Sequence, residues 1–478
     1  MLSVLAVIAA LPGCSGGGRK SLDLKSEEDL HGLTIATSSG TYYDSKYSGW
    51  PDVTLFRVNY ETDGVQAVRQ GIADVFASDE VAITPESQKR LNMRLAFRGQ
   101  ESFDVAFAVR KGNDALREEM NAFIAASKAD GTLDAIISQW TKGTPAPEMP
   151  VPAALSRPDE PLRCVTATNL EPTCFIGDGG EWMGMDADIL RRFAIWSGRP
   201  FQMQFQELGS AIIALNTGMC DAVSACLFIT EERQKSVDFT DPYYICHPGY
   251  FVYDDAQSSG LDLGERLKMN LVNEGRWKLL VNGLLETLKI TFFAILLGTI
   301  LGAGVCAMLR SRRKWVRKAA NLYGGFIQGI PTLVLLLIMF YVVLANSGLD
   351  GSVVAIVTFA LCFGWSAGSI FDTSISSVPR GQTEAGLSLG FTPLRTFTGI
   401  VFPQALSKGL PLYIGECVAL LKSTSIVGYI AIQDLTRASD LIRSRTFDAL
   451  IPLAIVTVLY FALAWLIRVV LNLFLRKK

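Results

Sequence analysis

The sequence predicts a multidomain protein, a soluble α/β portion followed by an all-α membrane portion with about five spans. Three observations predict it. Apolar residues make up 49% of the chain but are unevenly placed. The stretch from about Ser21 to Asp262 reads as soluble α/β protein, and the stretch from about Leu284 onward is dominated by long apolar runs. Basic residues gather at alternate ends of those runs, as they do on the cytoplasmic side of a membrane protein. A Pro-rich stretch from Gly143 to Pro161 divides the soluble portion in two. With 478 residues the chain has room for two or three domains. A net charge of −2 leaves no nucleic-acid footprint.

The elements follow in order. Residues 1–19 hold a short apolar core, Met1 to Gly13, then Cys14 and the flexible Ser15-Gly16-Gly17-Gly18. This is similar to a bacterial lipoprotein signal with Cys14 as the lipidated residue; an uncleaved anchor or a misplaced start codon is the alternative. Each sends the next residues across the membrane. Residues 20–143 and 161–255 are the two soluble segments, joined by the linker 144–160 with Pro145, Pro147, Pro150, Pro152 and Pro158. Residues 256–282 lead to the membrane portion, 283–478. Five of the nine cysteines fall in the exported portion: Cys164, Cys174, Cys220, Cys226 and Cys246. Disulfides are permitted there, but an odd number leaves one over, and a small buried hydrophobe is an equal reading of each.

A span needs about 20 apolar residues. Candidate spans run from Leu284 to Leu309, Phe326 to Leu344, Val353 to Ile370, Leu410 to Ile432 and Leu450 to Phe474. The second is interrupted early by Gly329-Ile330-Pro331. Basic groups follow the first span (Arg310, Arg312, Arg313, Lys314), flank the loop after the third (Arg380, Arg395, Lys408) and close the chain (Arg476, Lys477, Lys478). All fall on one side, which the positive-inside rule makes cytoplasmic. The soluble portion is then extracytoplasmic, in a bacterial inner (plasma) membrane.

The loop after the third span carries the sharpest signal. Glu384, Ala385 and Gly386 are followed by Gly390, then Ile400 and Pro403. This spacing resembles the Glu-Ala-Ala loop of ABC importer permeases, with Gly386 replacing the second Ala. The resemblance implies a short helix that docks into a cytoplasmic ATPase. Gly329-Ile330-Pro331-Thr332 and Lys422-Ser423-Thr424-Ser425-Ile426 resemble motifs of polar amino-acid permeases of the histidine/glutamine type. Glu416, Lys422, Thr424 and Ser425 become translocation-pathway candidates, because ionisable groups in spans are costly. Alternatively, Glu416 and Lys422 sit near span ends and reach headgroups.

The exported segments resemble a two-lobed periplasmic amino-acid-binding protein. Pro161 to Thr168, Gly184-Met185-Asp186-Ala187-Asp188-Ile189, Ala214 to Ala222, Ile229 to Arg233 and Val237 to Tyr244 match its first lobe in order. Asp29 to Ala36, Ser39-Gly40-Thr41, Val68 to Asp79, Val109 to Asn113 and Gly131 to Trp140 match its second lobe and closing segment. The order is inverted, so the resemblance implies either one circularly permuted domain or two partial domains in tandem. Neither lobe occurs twice, which favours permutation.

A zwitterionic amino acid needs a bidentate cation for its carboxylate and an anion for its ammonium. The resemblance places Arg233 at the carboxylate clamp with Thr230 in support, Asp79 at the ammonium, and Thr41 at the turn that covers the carboxylate. Tyr42, Asn169 and Glu171 are further polar candidates. Pro172 and Leu208 stand where the family carries aromatics, and Phe228 where it carries a small residue, so the side-chain pocket is unusual.

The resulting expectation is a receptor and permease on one chain, importing polar amino acids or similar small solutes. No phosphate-loop spacing is present. ATP therefore belongs to a partner subunit, this chain binds no cofactor or metal, and the permease pairs with itself or a partner. A ligand-gated channel or sensor using the same binding fold is the alternative, though no Thr-Val-Gly-Tyr-Gly filter occurs. An enzyme is disfavoured: there are only two histidines, His31 and His247, and no acid–base cluster.

Overall fold

Short runs of β-branched and aromatic residues separated by turns fold as strands, and their alternation sets which face each residue takes. The computed structural model describes residues 22–476 except 152–153, 168–170, 178–180, 207, 255–261 and 346. Cys14 and Asn169 lie outside the described residues. Two compact units are present: Met1–Gly275 with Leu441–Ala449, and Arg276–Asp440 with Leu450–Lys478.

The first unit holds two five-stranded sheets. In lobe A the order is Thr54–Val58, Thr34–Ser38, Val75–Asp79, Pro248–Tyr253, Met93–Arg98. In lobe B it is Phe201–Phe205, Leu162–Thr166, Ala222–Ser224, Ala108–Arg110, Val237–Phe239. Each soluble segment therefore contributes to both sheets. Ala108–Arg110 joins lobe B from the first segment, and Pro248–Tyr253 joins lobe A from the second. Phe103–Val105 and Tyr244–Cys246 pair antiparallel where the chain crosses between lobes. Alternation is visible in the cores. Ile35, Val75, Ala77 and Tyr250 join one buried cluster, while Ala36, Phe76 and Phe251 join another on the opposite face.

The Pro-rich linker is held against lobe B. Buried Arg192 donates to the carbonyls of Pro147 (2.5 Å) and Glu148 (3.3 Å) and to the Asp188 carboxylate (2.7 Å). Each of its three nitrogens thus donates to a fixed partner, which ties the linker to the helix that carries Asp188. Cys164, Cys174, Cys220, Cys226 and Cys246 of the first unit are buried and free.

Among the described residues of the second unit, four helices are long and apolar enough to cross a membrane: Trp277–Leu309, Gly351–Ser376, Pro393–Ile430 and Leu450–Leu473. A fifth span results if Lys314–Gly329 and Thr332–Val343 count together; they are bent by 101° at the Ile330-Pro331 break. The proline has no N–H to continue the ladder and disfavours helix at the residue before it. The first helix is longer than its apolar run, starting at Trp277 rather than Leu284. It packs closely on Gly351–Ser376 through two glycine pairs spaced by four, Gly298/Gly302 and Gly364/Gly368. A Cβ on Gly302 would meet Ala367 Cβ at 2.8 Å, and one on Gly368 would meet Val305 Cβ at 2.7 Å. Small residues let membrane helices approach closely where no hydrophobic drive exists between them.

Candidate functional site

A cleft of about 150 Å³ opens within the first unit, lined by residues of both lobes. At roughly 10–15 Å³ per water on that scale, it suits a solute of amino-acid size. Its cation comes from a short helix, Glu231–Gln234. Thr230 caps that helix, its hydroxyl accepting from the Arg233 N–H at 3.3 Å. The cap fixes where the Arg233 side chain leaves the backbone. Its guanidinium donates to the carbonyls of Phe228 (3.2 Å) and, in lobe A, Gly40 (3.4 Å). Burial lowers its pKa, opposed by the Asp79 charge.

Asp79 ends the strand Val75–Asp79, and its carboxylate accepts from Tyr43 Oη at 3.0 Å. Burial pushes it up to about 6, against the pull of Tyr43, Cys226 and Arg233. Glu61, the first residue of the helix Glu61–Gln70, also lines the cleft and accepts from Ser78 Oγ at 2.9 Å. Burial first, then the Asp79 charge, raises it to about 7. Behind the cleft, buried Asp186 accepts from Tyr243 Oη at 2.6 Å and is raised by burial to about 7. One ligand atom each from Asp79, Cys226 and Cys246 lies within 4.8 Å of the others. A hydrogen bond with Cys246, then burial, holds the Cys226 thiol well above its ordinary value, so it faces Asp79 as a neutral donor.

The cleft thus brings together Arg233, Asp79, Thr41, Tyr42 and Phe228, while Thr230 does not line it and acts only as the cap of the Arg233 helix. Thr41 arrives with its hydroxyl already donating to Ser38 O at 2.7 Å, so its proton is not offered to a carboxylate. The Tyr42 hydroxyl donates to Glu101, and its ring tilts on Phe103 at 4.5 Å. Phe228 is buried and stacks on Phe103 at 4.6 Å and 6°, forming an aromatic wall. Leu208 lines the cleft; Pro172 is buried, and its carbonyl accepts from the Met185 N–H. Glu171 departs from expectation, forming an ion pair with Arg445 at 3.2 Å. Sequence reasoning missed Tyr43, Glu61 and Cys226. Only Tyr43 left a signal: of the adjacent pair Tyr42-Tyr43, one ring had to turn inward.

In the second unit, Arg380–Ser388 is the helix that carries Glu384 and Ala385, both exposed. The chain turns at Gly390, φ +80°, where the Gly390 and Phe391 N–H groups return to the carbonyls of Leu387 and Gly386. Pro393–Thr396 follows, and Pro403 comes just after the π-helical stretch Phe397–Val401, inside the continuous helical run Pro393–Ile430. Gly386 has a packing cause. A Cβ there would meet Thr396 Cγ2 at 2.7 Å and Ile400 Cδ1 at 3.0 Å. Leu387, Leu389 and Leu394 are exposed around this turn. The pathway candidates separate. Glu416 is half-buried and Lys422 exposed, six residues apart and so on different helix faces. Thr424 is fully buried, its hydroxyl donating to Leu421 O, and Ser425 donates to Lys422 O.

Two family profiles match the chain. That of bacterial extracellular solute-binding proteins, family 3, matches residues 52–143 and 162–385. That of the binding-protein-dependent transport system inner membrane component matches residues 294–478. The L-cystine transport system permease protein TcyB of Bacillus subtilis (strain 168) is 31% identical over 212 residues, covering 44% of this chain and 91% of the relative. The putative glutamine transport system permease protein GlnP of Rickettsia typhi (strain ATCC VR-144 / Wilmington) is 26% identical, covering 41% and 92%. A solved amino acid ABC transporter with histidines aligns at 30% identity and TM-score 0.40, covering 46% of this chain and 99% of its own.

A lobed α/β receptor followed by a helical bundle with a permease loop defines the class: an ABC import permease carrying its own solute-binding domain. The chain belongs to the family 3 bacterial extracellular solute-binding proteins, joined to an inner-membrane permease component, and is a multi-pass membrane protein. Its relatives are transport permeases, not enzymes. Nothing in these matches favours a channel or sensor.

Proposed function

We propose that this chain captures a polar amino acid outside the cell and passes it through its own membrane helices, driven by ATP hydrolysed on a separate subunit. The observation that carries this reading is the cleft itself, where Arg233 and Asp79 interact across the two lobes. Arg233 takes the carboxylate, giving up its long bond to Gly40 O; Asp79 takes the ammonium. The names of the cystine and glutamine permease relatives support an amino-acid substrate. The single permuted domain is supported by the exchange of Ala108–Arg110 and Pro248–Tyr253 between the segments' sheets. The basic groups support an extracytoplasmic first unit and a cytoplasmic Glu384–Pro403 loop. There the exposed leucines beside Glu384 and Ala385 give an ATPase an apolar contact. Two permease units pair to enclose a path, with Glu416, Lys422, Thr424 and Ser425 near it, and a lipid on Cys14 anchors the N-terminus.

The test is calorimetry on the purified full chain against L-amino acids, followed by ATP-dependent uptake into vesicles with the ATPase co-expressed. Binding of one class of L-amino acid, and uptake that stops without ATP, is the expected result. Uptake that persists without ATP would sink the reading.

A further inference from the structure

We propose that the cleft has three walls, the third being Leu441–Ala449, which the sequence supplies from between its last two membrane-spanning helices. The inference rests on the cleft being the solute site. This segment belongs to the first compact unit, although the residues on either side belong to the second. Two arginines two positions apart grip opposite lobes. Arg443 Nη1 lies 2.8 Å from Asp63 Oδ1 of lobe A, and Arg445 Nη1 lies 3.2 Å from Glu171 Oε2 on the lobe B side. Both arginine side chains are nearly buried, at 13% and 12% exposure; Asp63 is part-buried too, so that pair is less screened than a surface one, while Glu171 meets Arg445 from the exposed side. Arg443 lies 5.2 Å from the Tyr60 ring and Arg445 4.1 Å from the Phe175 ring, cation–π contacts that add to each grip. Ser444, between them, lines the cleft.

The segment is anchored beyond the arginines. Phe447 is buried in the lobe A core with Phe76 and Phe251, and its carbonyl accepts from Gln66 Nε2. It holds φ +52°, a left-handed conformation uncommon for an aromatic residue, which persists only where packing over-determines it. Asp448 pairs with Arg266 at 2.7 Å and accepts from Asn270 at 3.1 Å. Asp63 and Glu171 sit on different lobes, so one rigid turn cannot keep both pairs if the lobes part. The segment therefore fixes lobe separation, and any change on solute binding must move it or break a pair. It is continuous with helices on both sides, so such a movement is delivered directly to the membrane half.

The experiment uses the full chain in lipid nanodiscs, with spin labels on unnatural amino acids at Gln70 of lobe A and Asn216 of lobe B, both exposed. The wild type should give one narrow interlobe distance distribution. Arg443→Ala with Arg445→Ala should broaden it, and Arg445→Glu combined with Glu171→Arg should remove most of the width that Arg445→Glu alone adds. A double variant with the wild-type distribution overturns the proposal. Should the double variant not fold, Asp63→Asn with Glu171→Gln removes the same pairs from the acidic side by near-isosteric changes and must broaden the distribution; an unchanged width overturns the proposal equally. Separately, Ser444→Trp should weaken calorimetric binding of the L-amino acid found for the wild type at least tenfold, and unchanged affinity removes the third wall. A wild type that binds none of the L-amino acids overturns the substrate reading, while the distance distributions still decide the brace.

Discussion

The two units solve opposite problems with opposite residues. In the first, function gathers where charge is buried: Arg233, Asp79 and Glu61 share a small cleft, and both acids are pushed toward neutrality. In the second, closeness is made by absence of side chain. Gly302 and Gly368 let two helices meet, and Gly386 lets the loop helix settle on Thr396 and Ile400. Water on one side and lipid on the other explain the difference. A receptor can bury charge because a solute's own charges compensate it. A membrane helix gains nothing from hydrophobic burial against its neighbour, so it relies on contact distance.

That contrast can be broken at specific residues. The largest effect is expected from Arg233→Ala, which leaves Asp79 and the solute carboxylate uncompensated. Calorimetric affinity of the full chain should fall by at least about 100-fold, the scale of removing one partner from a buried charge pair. Uptake would fall with it, while the melting behaviour of the membrane unit stays as it was. Gly302→Leu tests the opposite half. Forcing a side chain against Ala367 should cost about 1–3 kcal/mol, read as a lower melting temperature, with solute affinity in the surviving folded protein unchanged. A loss of affinity without a stability change would reverse the assignment of roles.

Acidity provides a graded test. Asp79 must be ionised to hold an ammonium, and its free-state pKa is about 6. A proton competes with the solute below that value. Affinity should therefore be highest above pH 7 and fall by about tenfold per unit well below pH 6. An affinity flat between pH 5 and 7 would remove Asp79 from ammonium recognition. The smallest effect belongs to Thr230→Ala. Losing the cap should cost about 1 kcal/mol locally and weaken binding roughly fivefold, with Thr230→Ser largely restoring it.

The legibility of the sequence divides along the same line. The span break at Ile330-Pro331 is local backbone chemistry, and the 101° bend falls where the proline predicts it. Arg233 and Asp79 were readable because each sits in a long ordered motif. Tyr43, Glu61 and Cys226 were not, since their relevance comes only from the neighbours that folding brings to them. Glu171 looked like a solute contact until Arg445, 274 residues away, took its carboxylate. Gly386 looked like a mild departure from a pattern, and its cause is the approach of Thr396 and Ile400. Nothing local in the sequence around Phe447 says that its aromatic ring belongs to a core built from residues near 76 and 251.

The strand Pro248–Tyr253 is the last strand of the first unit, followed by the short helical stretches Leu263–Leu267 and Lys268–Val272 before the helix at Trp277, and it lies inside the lobe A sheet with hydrogen-bonded neighbours on both sides. A tug along the chain that has pulled Arg266 and Asn270 away from Asp448 next loads two ladders in shear at once, and every bond must yield together. A peripheral strand or end helix would instead unzip one bond at a time. The leash enters the receptor where the receptor is mechanically hardest to unravel, a useful property for a domain tied permanently to a moving machine.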